Sequence, residues 1–187
     1  MKKLVLVLAV IAMAGIASAD FITDPTYSDV SATSTWLGYE GTVWSAQPLS
    51  LFVTSAGGVA TVTGANANEY SFYQEFAGTL AVGDYTWTVD ASNITADGGA
   101  TAFVKHLDAL GGWIGFEGTD ALVDGSTASI SFSVTDATHI YQVGTSTTGW
   151  TSGSYDLTNP SLVPEPATMG LFALAGGLLM FVRRFRS

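Results

Sequence analysis

DYTWTVD at Asp84–Asp90 and SISFSVT at Ser129–Thr135 are the stretches that decide how this chain folds. In the first, Tyr85, Trp87 and Val89 alternate with Thr86, Thr88 and Asp90. In the second, Ile130, Phe132 and Val134 alternate with Ser129, Ser131 and Ser133. A period of two places each apolar set on one face of a strand and each hydroxylic set on the other, which a helical period cannot do. YSFYQEF, Tyr70–Phe76, repeats the pattern with Tyr70, Phe72, Gln74 and Phe76 on one side. LSLFVT (Leu49–Thr54) and GVATVTG (Gly58–Gly64) supply two shorter runs. Turn signals separate these runs: Gly57-Gly58, Asn66-Ala67-Asn68, Gly98-Gly99, Gly111-Gly112, Asp124-Gly125 and the TSTTG before Trp150. FVKHLDAL, Phe103–Leu110, reads as a strand followed by a loop, and Leu157–Val163 as a closing strand or a linker. Eight to ten short strands and no long amphipathic helix predict an all-β chain folded as a single β-sandwich of the jelly-roll type.

Composition narrows the surroundings. All 16 carboxylates lie between Asp20 and Glu165, whereas five of the six Lys and Arg sit in the two termini. Lys105 is the one strong cation of the body, so 16 negative charges against one positive leave −15. Such a surface repels phosphate backbones, which excludes nucleic acid as a partner. Cysteine is absent, so the core alone must hold the domain together without disulfides.

The termini read as addresses. Lys2 and Lys3 precede an apolar run of 14 residues, Leu4–Ala17, and Ala17-Ser18-Ala19 offers the small residues a signal peptidase reads. Residues 1–19 are therefore expected to be a signal peptide, cleaved to start the mature chain at Asp20, with a β-sandwich over 20–162. At the other end, Val163-Pro164-Glu165-Pro166-Ala167-Thr168 leads into a 16-residue apolar run, Ala167–Val182, followed by Arg183, Arg184 and Arg186. At about 1.5 Å per residue that run covers roughly 24 Å, slightly short of a hydrocarbon core of about 30 Å. It predicts a short membrane helix over about 167–182 with its basic end held in the cytoplasm.

The succession VPEPAT, glycine-containing apolar helix and RRFR resembles the PEP-CTERM sorting signal of exported bacterial proteins, here over 163–187. That resemblance implies recognition and processing near Pro164-Glu165-Pro166 by an exosortase, an inner-membrane-tethered intermediate, and a final place at the cell surface or in an extracellular matrix containing exopolysaccharide. In the body, YSFYQEFAGTLAVGDYTWTVDA (Tyr70–Ala91) and SYDLTNPSLVPEP (Ser154–Pro166) resemble segments of galactose-binding-like carbohydrate-binding jelly rolls.

No motif names a reaction. His106 and His139 belong to no HExxH or similar pair, and no transition-metal site is expected; His139, in HIYQV, reads as an exposed strand residue. GTSTTG, Gly144–Gly149, lacks the spacing of a nucleophile elbow. The chain is read as a non-catalytic protein, with no cofactor. A structural calcium near Asp90 and Asp97, or near Glu117, Asp120 and Asp124, is the one metal that oxygen-only ligands offer, against the plainer reading of solvated acidic turns. Trp87 and Trp113 stand in apolar strand contexts and are expected in the core. Trp150, Trp44 and Trp36 stand among small polar residues, where an indole serves either as a platform for a sugar ring or as a lid on the sandwich.

Overall fold

The computed structural model describes residues 20–30, 35–40, 43–64, 70–96, 99–147 and 153–165. The expected signal peptide and C-terminal apolar helix fall outside these residues; among the described residues no helix is long and apolar enough to cross a membrane. The described body belongs to one compact unit, Ala19–Pro164.

Among the described residues eleven strands run β1 (Leu37–Glu40), β2 (Val43–Gln47), β3 (Val53–Ala56), β4 (Val59–Gly64), β5 (Tyr70–Ala77), β6 (Gly83–Ser92), β7 (Ala100–Leu107), β8 (Trp113–Ala121), β9 (Ser126–Val134), β10 (Ile140–Thr147) and β11 (Gly153–Pro164). They form two antiparallel sheets: sheet A in the order β2-β1-β5-β10-β7-β8, and sheet B in the order β3-β4-β11-β6-β9. The fold is the all-β sandwich that the alternation predicts. LSLFVT departs from the expected strand, because Leu49–Leu51 makes a 3-10 turn after Pro48 and pairing starts only at Val53.

The core forms where the two inward faces meet. From sheet B come Tyr85, Trp87, Val89 and Ala91 of β6 and Ala128, Ile130, Phe132 and Val134 of β9. Sheet A supplies Tyr70, Phe72 and Phe76 of β5, Val104 of β7, and Tyr141 and Val143 of β10. β11 shows how register is kept. Leu157 and Leu162 are five residues apart, an odd spacing that would put them on opposite faces of a regular strand. The ladder with β6 shifts between Thr158 and Ser161, with Asn159 at φ 50° inside the bulge, and both leucines end up buried. Asn159 Nδ2 then donates to Asp90 Oδ2 at 2.8 Å, which ties the bulge to β6.

The beginning and end of the sandwich are tied together. Leu162 N donates to Asp20 Oδ1 at 3.0 Å, and Phe21 N donates to the Leu162 carbonyl at 2.9 Å. On the side where the two sheets meet, Asp120 of β8 accepts from Ser129 N of β9 at 2.9 Å. This occupies a backbone donor that an edge strand would otherwise leave open.

Candidate functional site

The outward face of sheet A carries the aromatic residues that the core does not use. Alternation along β7 sends Ala100, Ala102 and Val104 into the core, and therefore Thr101, Phe103 and Lys105 outward. Cross-strand register extends this face. Phe103 pairs with Gly144 of β10, Gly144 with Tyr73 of β5, and Tyr73 with Leu37 of β1; Lys105 pairs with Phe116 of β8. Gly144 has a steric role here. A Cβ on it would lie 2.2 Å from the Phe72 carbonyl oxygen and 2.5 Å from Tyr73 Cβ, so only glycine admits β5 this closely. The Tyr73 and Phe103 rings approach across it, centroids 6.5 Å apart.

The Lys105 ammonium stands 4.6 Å from the Phe103 ring centroid, 5.7 Å from that of Tyr39 and 5.9 Å from that of Phe116. Tyr39 belongs to β1 and Phe116 to β8, with β5, β10 and β7 between them. The long Lys105 and Tyr39 side chains reach toward each other across β10 and β5. Phe103, 1% exposed although it points away from the core, is the covered floor. Trp113 and Phe116 form the open rim, 57% and 53% exposed, with rings edge to face at 5.1 Å. Phe116 also meets Phe103 edge to face at 6.3 Å.

The tryptophans distribute differently from the sequence expectation. Trp87 is buried as expected. Trp113 is not in the core: β8 is the last strand of sheet A, and its side chain falls on the outer face beside Phe116. Trp36 is not a sugar platform. It is 2% exposed, stacked on Phe72 at 4.6 Å and tilted against Tyr27 at 4.9 Å, while its indole N–H donates to the Asp24 carbonyl at 3.1 Å. Asp24, which takes that bond, is held in a hydrogen-bonded turn. Asp24 Oδ1 accepts from Ser28 N and Ser28 Oγ, and Asp24 Oδ2 from Asp29 N. Burial alone would raise the Asp24 carboxyl, but these hydrogen bonds outweigh it and hold the group below its ordinary value. Trp44 lies on β2, at the far edge of sheet A. Trp150 lies outside the described residues.

The carboxylates named for calcium have separate partners. Asp90 accepts from Asn159 and Thr127, which lower its pKa in that order. Asp124 accepts from Ile94 N at 3.2 Å, and Asp120 from Ser129 N. Asp97 is outside the described residues, among which no group of three or more His, Asp or Glu is arranged to hold a metal. Glu117 is engaged by an imidazole that the sequence left isolated. Its Oε1 lies 2.6 Å from His106 Nδ1, His106 Nε2 lies 2.8 Å from His139 Nδ1, and His139 Nε2 lies 3.5 Å from Asp136 Oδ2. An ionised Glu117 can only accept, so His106 Nδ1 donates to it; Nε2 of a neutral His106 then accepts from His139. His106 is buried, with its ring stacked on Tyr141 at 4.5 Å. His139 is not an exposed strand residue. It closes the turn before β10 and is partly covered, because His106 draws it in. This chain fastens β8 to β7 and to that turn, directly beneath the rim that carries Phe116.

Of the sorting residues, Val163 and Pro164 are paired into sheet B opposite Thr86 and Tyr85, so β11 runs straight into the motif. Pro166, Ala167, Thr168, Arg183, Arg184 and Arg186 are outside the described residues, as are Ala17 and Ala19.

The fold is an antiparallel two-sheet β-sandwich, similar in architecture to jelly rolls of carbohydrate-binding modules. Three solved structures share the architecture. Bacteriophage CBA120 tailspike protein 4, in its enzymatically active domain, aligns with a TM-score of 0.56 at 12% identity over 78% of this chain and 21% of its own. This chain thus spans about a fifth of that domain's length. CBM4 aligns at 0.53 with 18% identity, over 77% of this chain and 99% of its own. TmCBM61, solved in complex with β-1,4-galactotriose, aligns at 0.51 with 13% identity, over 79% and 100%. At such identities the likeness is one of fold. Residues 162–187 match the PEP-CTERM protein-sorting motif, the mark of an exported chain. No curated protein matches the sequence.

Proposed function

We propose that this chain is a non-catalytic exported bacterial protein that holds extracellular polysaccharide on the outer face of sheet A. The observation that carries the reading is the exposed aromatic pair of Trp113 and Phe116 beside Phe103. Exposed rings offer flat apolar area to the C–H face of a sugar. The fold shared with TmCBM61, a galactotriose complex, supports it. Trp44, on β2 of the same sheet, and Trp150 are further candidate platforms.

The test is titration with β-1,4-linked galacto-, gluco- and xylo-oligosaccharides. Trp113→Ala and Phe116→Ala are each expected to weaken binding by roughly tenfold, about 1.4 kcal/mol. Both residues lie more than half exposed, so the thermal midpoint should move little. Undiminished binding in both variants, or no binding to any such glycan by the parent chain, would sink the reading.

The route to that place is export by the signal peptidase pathway, then a membrane-tethered intermediate through the C-terminal helix, and release or re-anchoring by an exosortase. Intact-mass analysis of the surface-exposed form is expected to show a C-terminus near Pro164-Glu165-Pro166. A mass that retains Arg183–Ser187 would contradict processing.

A further inference from the structure

We infer that the end of the sandwich at which β11 finishes is a docking surface for a lipid bilayer, with Val82 and Leu110 as the side chains that enter the headgroup layer. The inference rests on the reading of the tail as a membrane tether and is independent of glycan binding.

Strand register assembles this end from distant parts of the chain. In sheet A, Ala77 of β5, Ile140 of β10, Leu107 of β7 and Trp113 of β8 stand in one row at the ends of their strands. In sheet B, Gly83 of β6 pairs with Val134 of β9, and Pro164 of β11 pairs with Tyr85, two residues further into β6. Residues 78–82 join β5 to β6, and residues 135–139 join β9 to β10. Links this short connect strands at one end of a sandwich, and Gly78 N donates to the His139 carbonyl at 3.4 Å, which fastens one link to the other. The loop 108–112 joins β7 to β8 in the same row.

Two of these loops hold an aliphatic side chain out in solvent. Val82 is 66% exposed and Leu110 96%. The loop around Leu110 is well ordered by its own bonds. Asp108 Oδ1 accepts from Leu110 N at 2.8 Å and from Gly112 N at 2.7 Å, and Gly111 takes a φ of 83°. The turn therefore keeps Leu110 at its tip. Trp113 and Ile114 follow directly and are exposed as well. Apolar groups gathered on a folded surface mark a protein or a membrane partner.

The length of the connection to the tail selects the membrane. Pro164 is still paired in sheet B, and the apolar run begins at Ala167. Three steps of extended chain reach about 10 Å at most. The headgroup layer on each side of the hydrocarbon is itself roughly 5–8 Å deep. With the run in the bilayer, the end of β11 is thus held at the headgroups. β6 begins at Gly83, two residues beyond the pairing of Tyr85 with Pro164, or about 7 Å further along the strand. Val82 precedes it and so stands further out than Pro164. Asp108 and Asp136 share this end. Their carboxyls are held below the ordinary value, first by backbone N–H bonds from Gly112 and Thr138 respectively. Two ionised carboxylates suit a zwitterionic bilayer better than an anionic one.

The absence of cysteine lets one introduced thiol carry a unique label. Exported chains with the tail intact and bearing Val82→Cys, Leu110→Cys or Val123→Cys are labelled with a fluorophore and reconstituted into phosphatidylcholine vesicles, with or without lipid brominated near the headgroup. Val123 is the control: it is also more than half exposed but lies at the other end, between the Ala121–Thr101 and Ser126–Ala91 pairs. Brominated lipid is expected to quench the labels at Val82→Cys and Leu110→Cys about twofold, as for groups seated at the headgroup boundary, and to leave Val123→Cys unchanged. Adding Val82→Asp to the Leu110→Cys chain should return its quenching to the control level. Chains that float with the vesicles yet show no quenching at either position overturn the inference and leave the tether standing. Equal quenching at Val123→Cys overturns the assignment to this end. A label shielded from aqueous iodide but untouched by brominated lipid identifies a protein segment as the cover and overturns lipid as the occupant. Quenching that survives Val82→Asp overturns the part given to the apolar tips. Failure to float with the vesicles removes the tether reading and the inference together.

Discussion

Trp36→Ala is expected to lower the stability of the folded chain by about 3–5 kcal/mol, the range for truncating a buried tryptophan, and to cut the thermal midpoint by roughly 10 °C. Its indole fills the space between Tyr27 and Phe72, and all three rings lie within 4.6–5.7 Å of one another. Removing it leaves Tyr27 and Phe72 facing a void. It also takes away the donor to the backbone carbonyl of Asp24, whose carboxylate accepts from Ser28 N and Asp29 N. The damage should therefore spread into the segment 20–30 as faster amide exchange. Trp36→Phe keeps part of the ring volume and should recover a large part of the loss. If Trp36→Ala unfolds like the parent chain and instead weakens sugar binding, the residue is a platform and its place in the core is refuted.

The second large effect is at Gly144. Gly144→Ala places a methyl group 2.2 Å from the Phe72 carbonyl oxygen and within 2.7 Å of Tyr73 Cα. Those atoms are backbone, so no side-chain rotation relieves the clash, and β5 and β10 must separate in the middle of sheet A. Overpacking of this kind costs about 1–3 kcal/mol, read as a lower urea midpoint. Tyr73 and Phe103 meet over the same glycine, so separating the strands should also disturb the outer face of sheet A and weaken glycan binding. Gly115→Ala is the matched control. It makes the same chemical change on β8, where an added Cβ meets nothing within 4 Å. Its effect should stay within about 0.5 kcal/mol. Equal stability of the two variants would show that close approach of the strands is not what Gly144 provides.

Much of the fold can be read directly from the residues. DYTWTVD, SISFSVT and YSFYQEF alternate cleanly, and β6, β9 and β5 bury the side that alternation marks. β7 could not be resolved in this way. Ala102 and Val104 on one face and Phe103 on the other are all apolar, so the period does not say which side is inside. Nor could β8: WIGF at Trp113–Phe116 is apolar on consecutive residues, as a buried strand would be. It is exposed because β8 has a partner on one side of sheet A only, which no local pattern records. Trp36 could be read as a platform or as a lid, and its burial against Tyr27 and Phe72 decides for the lid. Small polar neighbours in sequence do not tell these apart, because its ring partners lie 9 and 36 positions away.

The sequence by itself determined the sandwich, the acidic cysteine-free body and the sorting tail. Those follow from local period, from counts of charge, and from a motif that is contiguous in the chain. Only the tertiary structure decided the site. Tyr39, Phe103, Lys105 and Phe116 converge because β1, β7 and β8, at residues 37–40, 100–107 and 113–121, lie in one sheet with these side chains on the same face. Strand order arises from pairings between distant segments, so a lysine that is merely unusual in composition comes, once folded, to stand among aromatic rings.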